Sequence, residues 1–227
     1  QDGSSHLVAA TIPNCKAYDP AFAGELAVLL EHGMREMLVE QRDVFYYITL
    51  MNENYAQPSL DDAAVEGVLR GCYVYKSYSS NTEAHERPIS SQTVTLLGSG
   101  AILTEVCKAA EQLAAEGIQA TVLSVTSWSE LARDAQACTQ QKMAGESSAS
   151  VPWLLQQLQK TEGPVIAASD YVRAVPESIR AWIPAPRPYL TLGTDGFGRS
   201  DTRAALRDFF AVDAAHIVQA AHHALML

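Results

Sequence analysis

The chain has 227 residues, 48% of them apolar, and a formal net charge of −10. That is enough to build the core of one large or two modest α/β domains. The acidic balance argues against nucleic-acid binding, which asks for Lys and Arg clustered on one face, and any anionic substrate must be held by local donors against the overall field. No run of about 18 apolar residues is present, so no membrane span is expected. Cys15, Cys72, Cys107 and Cys138 are far apart and form no C-x-x-C pair. This usage suits a reduced, cytoplasmic chain with buried thiols better than a disulfide framework or a zinc site. The sequence opens on Gln1 rather than Met, as expected of a processed or partial product.

Helical and extended patterns alternate along the chain. Leu7–Pro13 reads as extended. Asp19 and Pro20 then supply an N-cap and a first-turn proline, ahead of Phe22, Leu26, Leu29, Leu30, Met34, Met37 and Leu38 at helical spacing. Val44–Leu50 (VFYYITL) reads as a strand covered on both faces. A short helix over 61–70 and a short extended piece at Cys72–Lys76 follow. Lys76–Gln92 is polar and aperiodic, a surface connection. The later rhythm is more regular. TVTLLGSG is a strand and turn, Ile102–Gly117 a helix and ATVLSV a strand. Ser127 and Glu130 form a capping box for the helix at SELARDA. Trp153–Lys160 and Pro176–Ile183 are helical, PVIAAS and YLTLGT are strands, and Asp201–Phe210 and Ala214–Leu227 close the chain as helices. Strands separated by helix-length patterns imply an open, mostly parallel sheet with helices on both faces. The first 60 or so residues carry too few strands for a sheet of their own and read as the tail of an α/β domain. The domain pattern is therefore 1–60, a connection at 61–92, and a unit at 93–227.

The chemistry-bearing motifs are sparse. No Gly-Lys pair occurs, which rules out a P-loop, and no G-x-S-x-G elbow is present. LGSGAIL follows a strand and opens a helix, but it lacks the third glycine and the later acidic partner of a dinucleotide fingerprint, so a tight turn is the better reading. GTDGFGRSDTR (Gly193–Arg203) offers backbone donors and arginines to a phosphate. The plainer alternative is a strand-to-helix connection with Asp195 and Arg199 paired locally and Ser200 or Asp201 as the helix cap. His216, His222 and His223 on the last helix lack the i, i+4 pair that metal ligation on a helix favours, and no metal site is expected. His32 and His85 read as solvated. His6, in QDGSSH near Asp2, is a general acid/base by residue type; taken alone, a loop histidine is more often a surface group.

Several long strings carry a resemblance: QDGSSH, TIPNCKAYDPAFAGELA, FYYITLMNENYAQP, LLGSGAIL, SVTSWSELARDAQAC and LGTDGFGRSDTRAAL. Together they resemble transketolase-like, thiamine-diphosphate enzymes, on the branch of the homodimeric-type pyruvate dehydrogenase component. The resemblance spans almost the whole chain in the family's order. It implies that residues 1 to about 60 end a pyrimidine-binding domain. The rest corresponds to a transketolase-like C-terminal domain, a mostly parallel sheet with one antiparallel strand, whose work is dimer contact and shaping the channel to the active site. The implied activity is decarboxylation of pyruvate and transfer of the acetyl group to a lipoyl acyltransferase, in a homodimer. Thiamine diphosphate and Mg2+ would be bound mainly by residues upstream of Gln1. The D-G-x-x-H element maps onto Asp2 and His6. It implies that His6 is catalytic, hydrogen bonding to the bound 2-oxo acid or moving a proton, and that Asp2 contacts substrate or orients the loop. Ser4 departs from the pattern, standing where relatives more often carry a second histidine. Two rival readings remain: a non-catalytic dimerisation module or other transketolase-like fragment, and an independent small α/β enzyme using His6 with an acidic partner.

Overall fold

A computed structural model of the chain describes residues 3–79, 92–146 and 150–227. Five strands form one sheet in the order β3-β5-β4-β6-β7: β3 (Cys72–Tyr78), β4 (Thr93–Gly98), β5 (Gln119–Val125), β6 (Val165–Ala168) and β7 (Tyr189–Leu192). All neighbours are parallel except the edge pair, in which β3 runs antiparallel to β5. Strand periodicity decides which side chains meet which helices. Leu96, Val122 and Ile166 pack with α4 (Ile102–Ala115) and α9 (Ala214–Leu225). Their neighbours Leu97, Leu123 and Ala167 face the opposite layer of α5 (Trp128–Met143), α6 (Trp153–Leu158) and α7 (Ala174–Glu177). Both faces are covered, so the strands read as continuous apolar runs. Among the described residues no helix is long and apolar enough to cross a membrane.

The front segment builds a second, two-stranded parallel sheet from β1 (Cys15–Tyr18) and β2 (Phe45–Ile48), in the register Ala17 to Tyr47. One face carries Ala9 of α1 (Ser5–Ala10) against Cys15, Ala17 and Tyr47. The other carries Leu29 of α2 (Ala23–Met34) against Tyr18, Tyr46 and Ile48, with Val68 of α3 (Val65–Arg70). Both faces therefore bear helices, but burial of β2 is partial, and Phe45 is 42% exposed.

Three expectations need correction. Leu7–Pro13 is not extended: residues 5–10 are helical, with Ser4 O accepting from the Leu7 and Val8 amides. Asp19 does not cap α2. That helix begins at Ala23 with Phe22 at its N-cap position, and the Glu25 carboxylate reaches back to the amides of Ala21 (2.6 Å) and Phe22 (3.1 Å), the reciprocal half of a capping box. Helix α8 (Arg203–Phe209) is capped by Thr202, not by Ser200 or Asp201. Ser127 does cap α5, accepting from the Glu130 amide at 3.1 Å, while the Glu130 carboxylate turns to Arg133. Most of the polar connection, His85 included, lies outside the described residues.

The front segment is stitched to the larger unit through backbone oxygens. Arg133 of α5 donates to the carbonyls of Cys15 (2.6 Å), Ile12 (2.8 Å) and Ala10 (3.1 Å). Ser127 Oγ donates to Ala17 O, and the Asp19 amide to Thr126 O. A single guanidinium satisfying three carbonyls fixes the position of both α1 and β1.

Candidate functional site

The two-residue period of a strand places residues 15, 17 and 19 on one face of β1 and its extension, and 47 and 49 on the same face of β2 and its extension. That face looks toward α1, and α1 carries His6 in its first turn. The parallel register runs on beyond the paired residues, so Asp19 comes opposite Thr49. The result is a chain of three side chains. Thr49 Oγ1 donates to Asp19 Oδ1 at 2.8 Å, and His6 Nε2 lies 2.9 Å from Thr49 Oγ1. The imidazole is 7% exposed. It is walled by the rings of Tyr47 (centroids 5.6 Å apart) and Tyr171 (4.5 Å), both edge-on. The bland expectation of a solvated loop histidine does not describe this residue.

Asp19 is 3% exposed. Burial raises its pKa to about 7, because the charged form loses its hydration. The Thr49 hydrogen bond and the dipole of the nearby Ser99 hydroxyl oppose that rise, and the charges of Asp170 and Glu25 add to it. Ser99 Oγ and Asp19 Oδ2 are both buried without meeting the geometry of a hydrogen bond. The cradle is the LGSG turn after β4. The Gly100 amide donates to Asp19 O at 2.9 Å. Gly100 has φ +51°, and a Cβ there would stand 2.6 and 2.7 Å from the two carboxylate oxygens. The glycines of this loop thus serve a tight turn around a buried acid, in keeping with the reading from sequence.

Beside this chain opens a cavity of about 410 Å³, whose walls include Gly3, Thr49, Asp170, Tyr171, Arg199 and Arg207. Burial pushes the Asp170 carboxyl up, while the Arg207 charge pulls it down. Arg207 is itself held by Glu53 (2.5 Å) and Glu105 (3.2 Å). Gly3 O accepts from the Val172 amide at 2.9 Å, which docks the start of the described chain onto the loop after β6. His6 therefore sits at the seam between the front segment and the larger unit. The GTDGFGRSD loop forms part of the far wall. There Asp195 pairs with Arg173, its amide at 2.9 Å and its guanidinium alongside, and not with Arg199, which lies over the Phe209 ring. The Thr194 amide donates to Tyr171 O at 2.9 Å, which holds the loop against residues 171–173, and Gly193 leaves room for that approach because a Cβ there would clash with Tyr171 O and Arg173 N.

Asp2 lies outside the described residues. Asp19 and Thr49 were not singled out from sequence as site residues, although the two-residue spacing 15-17-19 and 47-49 carried the signal. Among the described residues the other histidines belong to α2, where His32 lies 3.7 Å from Glu36, and to α9. His216 Nδ1 meets its own helix cap, Asp213, at 2.7 Å, and His222 Nε2 meets Glu116 at 2.8 Å. Asp208, Asp213 and His216 bring ligand-type atoms within 4.8 Å of one another near the surface, where the Asp213 carboxylate is engaged by the His216 amide and ring. All four cysteines are free, with Cys15, Cys72 and Cys138 buried. Burial raises each thiol pKa, that of Cys72 to about 12, so none is poised as a nucleophile.

Comparison with known proteins fits this layout. The family described as transketolase-like TK C-terminal domain matches residues 71–213, and the family described as pyruvate dehydrogenase E1 component middle domain matches residues 1–58. This chain belongs to the transketolase-like family. Within that family it is 46% identical over 227 residues to the pyruvate dehydrogenase E1 component of Pseudomonas aeruginosa, covering 99% of this chain and 25% of the relative. It is 43% identical over 224 residues to that of Escherichia coli K12, covering 97% and 24%. The chain thus spans about a quarter of the length of the curated relatives it matches. Among solved structures, a split-gene transketolase described as an inactive beta4 tetramer superposes with TM-score 0.60 at 18% identity, covering all of this chain and 63% of the other. A transketolase from Pichia stipitis superposes with TM-score 0.63 at 15% identity, covering all of this chain and 27% of the other. At that identity these structures speak for the transketolase fold alone.

Proposed function

We propose that this chain is the C-terminal part of a pyruvate dehydrogenase (acetyl-transferring) component, which decarboxylates pyruvate and passes the acetyl unit to a lipoyl acyltransferase. The observation that carries the reading is the 46% identity over 99% of the chain to a relative of that name. On the same reading, residues 1–60 end a pyrimidine-binding domain, 61–92 connect, and 93–227 form the C-terminal domain. The connection then includes β3, the antiparallel edge strand of the sheet. The parent enzyme works as a cytoplasmic homodimer with thiamine diphosphate and Mg2+.

The residues present suit one end of that cofactor and not the other. His6 offers a buried imidazole fixed between two aromatic rings beside a cavity, which fits a reacting centre. Among the described residues, the acidic cluster with ligand-type spacing is the Asp208–Asp213–His216 group on α8 and α9, whose Asp213 serves as a helix cap. On this reading a magnesium–diphosphate unit is held mainly by residues upstream of this chain. When bound, thiamine diphosphate supplies the electron sink for loss of CO2. The role of this chain is to hold and aim. His6 donates to, or takes a proton from, the oxygen of the 2-oxo acid. Tyr47 and Tyr171 exclude water from one side of the ring and lower the local dielectric. Asp2 contacts substrate or orients the loop ahead of α1.

The test is CO2 release from pyruvate by the full-length protein containing this chain, with thiamine diphosphate and Mg2+ added. Decarboxylation that reduces a lipoyl acceptor is the expected result, with the 227-residue chain alone inactive. Ketol transfer between sugars without pyruvate decarboxylation would defeat the assignment in favour of a transketolase. Turnover by the isolated chain would defeat the placement of the cofactor groups upstream.

A further inference from the structure

The three-residue chain His6–Thr49–Asp19 has a directional property. A hydroxyl between two partners donates to one and accepts from the other. With Asp19 ionised, Thr49 donates to Oδ1 at 2.8 Å in preference to the more distant Tyr18 O at 3.4 Å. His6 Nε2, 2.9 Å from the same hydroxyl, then carries the proton and donates to Thr49. With Asp19 protonated, the carboxyl donates to Thr49, Thr49 donates to Nε2, and the neutral ring keeps its proton on Nδ1. Between the two states Asp19 takes up one proton from solvent, the neutral ring exchanges its proton from Nε2 to Nδ1, and the polarity of both hydrogen bonds reverses.

We propose that Asp19 and Thr49 are positioning residues that set which nitrogen of His6 carries the proton, and so decide whether His6 faces the reaction as a donor or as an acceptor. The proposal rests on His6 acting in the parent enzyme as described above. Three observations support it. The carboxylate lies almost wholly out of solvent, at 3% exposure, where an acid kept only for a helix cap has no need to be. The helix that follows begins at Ala23 with Phe22 at its N-cap position, so Asp19 stands too early in the chain to cap it, and its carboxylate accepts from Thr49 instead. A loop of the larger unit, Gly98-Ser99-Gly100, closes on the carboxylate so tightly that any side chain at position 100 would collide with it. The groups acting on Asp19 come from each element around it. They are the Thr49 hydroxyl after β2, the Ser99 hydroxyl after β4, and the charges of Glu25 on α2 and Asp170 after β6. Burial, with both of those charges, holds the acid near neutrality, where either direction of the chain is accessible.

The experiment uses the full-length enzyme carrying Asp19→Asn, Thr49→Val or Thr49→Ser. Its first readout needs no cofactor: an infrared pH titration of the apo-enzyme, wild type minus Asp19→Asn. A protonated-carboxyl band that is present on the acid side and fades near neutrality is expected. Its absence already at about pH 6 would overturn the proposal. The second readout is the pH profile of pyruvate decarboxylation. Thr49→Val is expected to lower kcat by about tenfold or more with KM little changed, Asp19→Asn to abolish or shift by about one unit or more the limb assigned to Asp19, and Thr49→Ser to restore the wild-type profile. A uniform fall at all pH values in the Asn and Val variants, with Ser no better than Val, would mean a structural role only. If wild type shows no decarboxylation at all, the functional assignment fails, and the infrared titration still decides whether Asp19 exchanges its proton.

Discussion

Asp19→Asn should make the protein more stable while harming its site, and the gain should depend on pH in a defined way. In the folded chain the Asp19 carboxyl is raised from 3.8 to about 7. The sign follows from linkage. A group whose folded pKa lies above its unfolded value contributes fully below the unfolded pKa, and that contribution is lost as pH rises through the folded one. For Asp19 the window runs from about 4 to about 7. Roughly three units at 1.36 kcal/mol each give about 4 kcal/mol of stability forfeited by pH 8. Asparagine keeps the shape and an oxygen for the Thr49 hydroxyl but cannot ionise. The Thr49 hydrogen bond to the charged form is already contained in that net shift, so a gain of about 4 kcal/mol over the difference at pH 4 is expected at pH 8. Urea midpoints of wild type and variant, taken at intervals across this range, isolate the effect, because every other titrating group is common to both. The difference between the two curves should be constant below about pH 4, grow through the window and level off above about pH 7. Parallel curves would refute the buried-acid reasoning. A variant less stable than wild type at pH 8 would show that the carboxylate is stabilised by its surroundings, not strained by them.

Three further outcomes follow from neighbouring contacts. Gly100→Ala places a Cβ 2.6–2.7 Å from both Asp19 oxygens at φ +51°. It should cost about 2–5 kcal/mol in urea denaturation, from left-handed backbone plus overpacking. Glu25→Gln turns an amide NH2 toward a site where Tyr73 (2.8 Å), Ser124 (2.6 Å) and two backbone amides all donate. A loss of about 2–4 kcal/mol is expected, since buried donors are left facing a donor. Arg207→Met leaves Glu53 and Glu105 without their shared cation. It should lower stability by about 3 kcal/mol, and adding Glu105→Gln should recover part of that loss.

The parts of the fold legible in the sequence are those in which one pattern dominates. The runs that became β4 to β7 and the stripes that became α4, α5 and α9 are set by burial on both sheet faces, and burial writes itself into every position. The N-terminal helix was not legible. Val8, Thr11 and Ile12 favour strand by local propensity, and residues 5–10 are helical because α1 packs on β1 while Arg133, more than a hundred residues away, holds the carbonyls at its end. Asp19 failed for a related reason. An Asp-Pro before an amphipathic stretch has the local chemistry of a cap, and nothing in that dipeptide shows that the helix will start only at Ala23, with Phe22 at the N-cap position. His6 was nominated by residue type and resemblance, whereas Asp19 and Thr49 needed the register that pairs them across two parallel strands. Asp195 shows the same limit: its partner Arg173 belongs to a different loop, brought near by the sheet.

This dependence on distant residues changes what the larger unit contributes to the site. A C-terminal domain expected to supply dimer contact and channel shape also supplies the Ser99–Gly100 turn that encloses Asp19, and the Tyr171 ring that packs against His6. Both come from the ends of strands, β4 and β6, which lie adjacent and parallel in the sheet. Loops leaving the carboxyl ends of neighbouring parallel strands emerge on the same edge, the place where open α/β sheets characteristically hold ligands. Here that edge is occupied by the front segment of the chain, which turns the dehydrated crevice into housing for its own acid and imidazole. The low polarity that raises the Asp19 pKa is therefore a product of docking two units, and loosening the seam should lower that pKa toward its solution value before it unfolds either one.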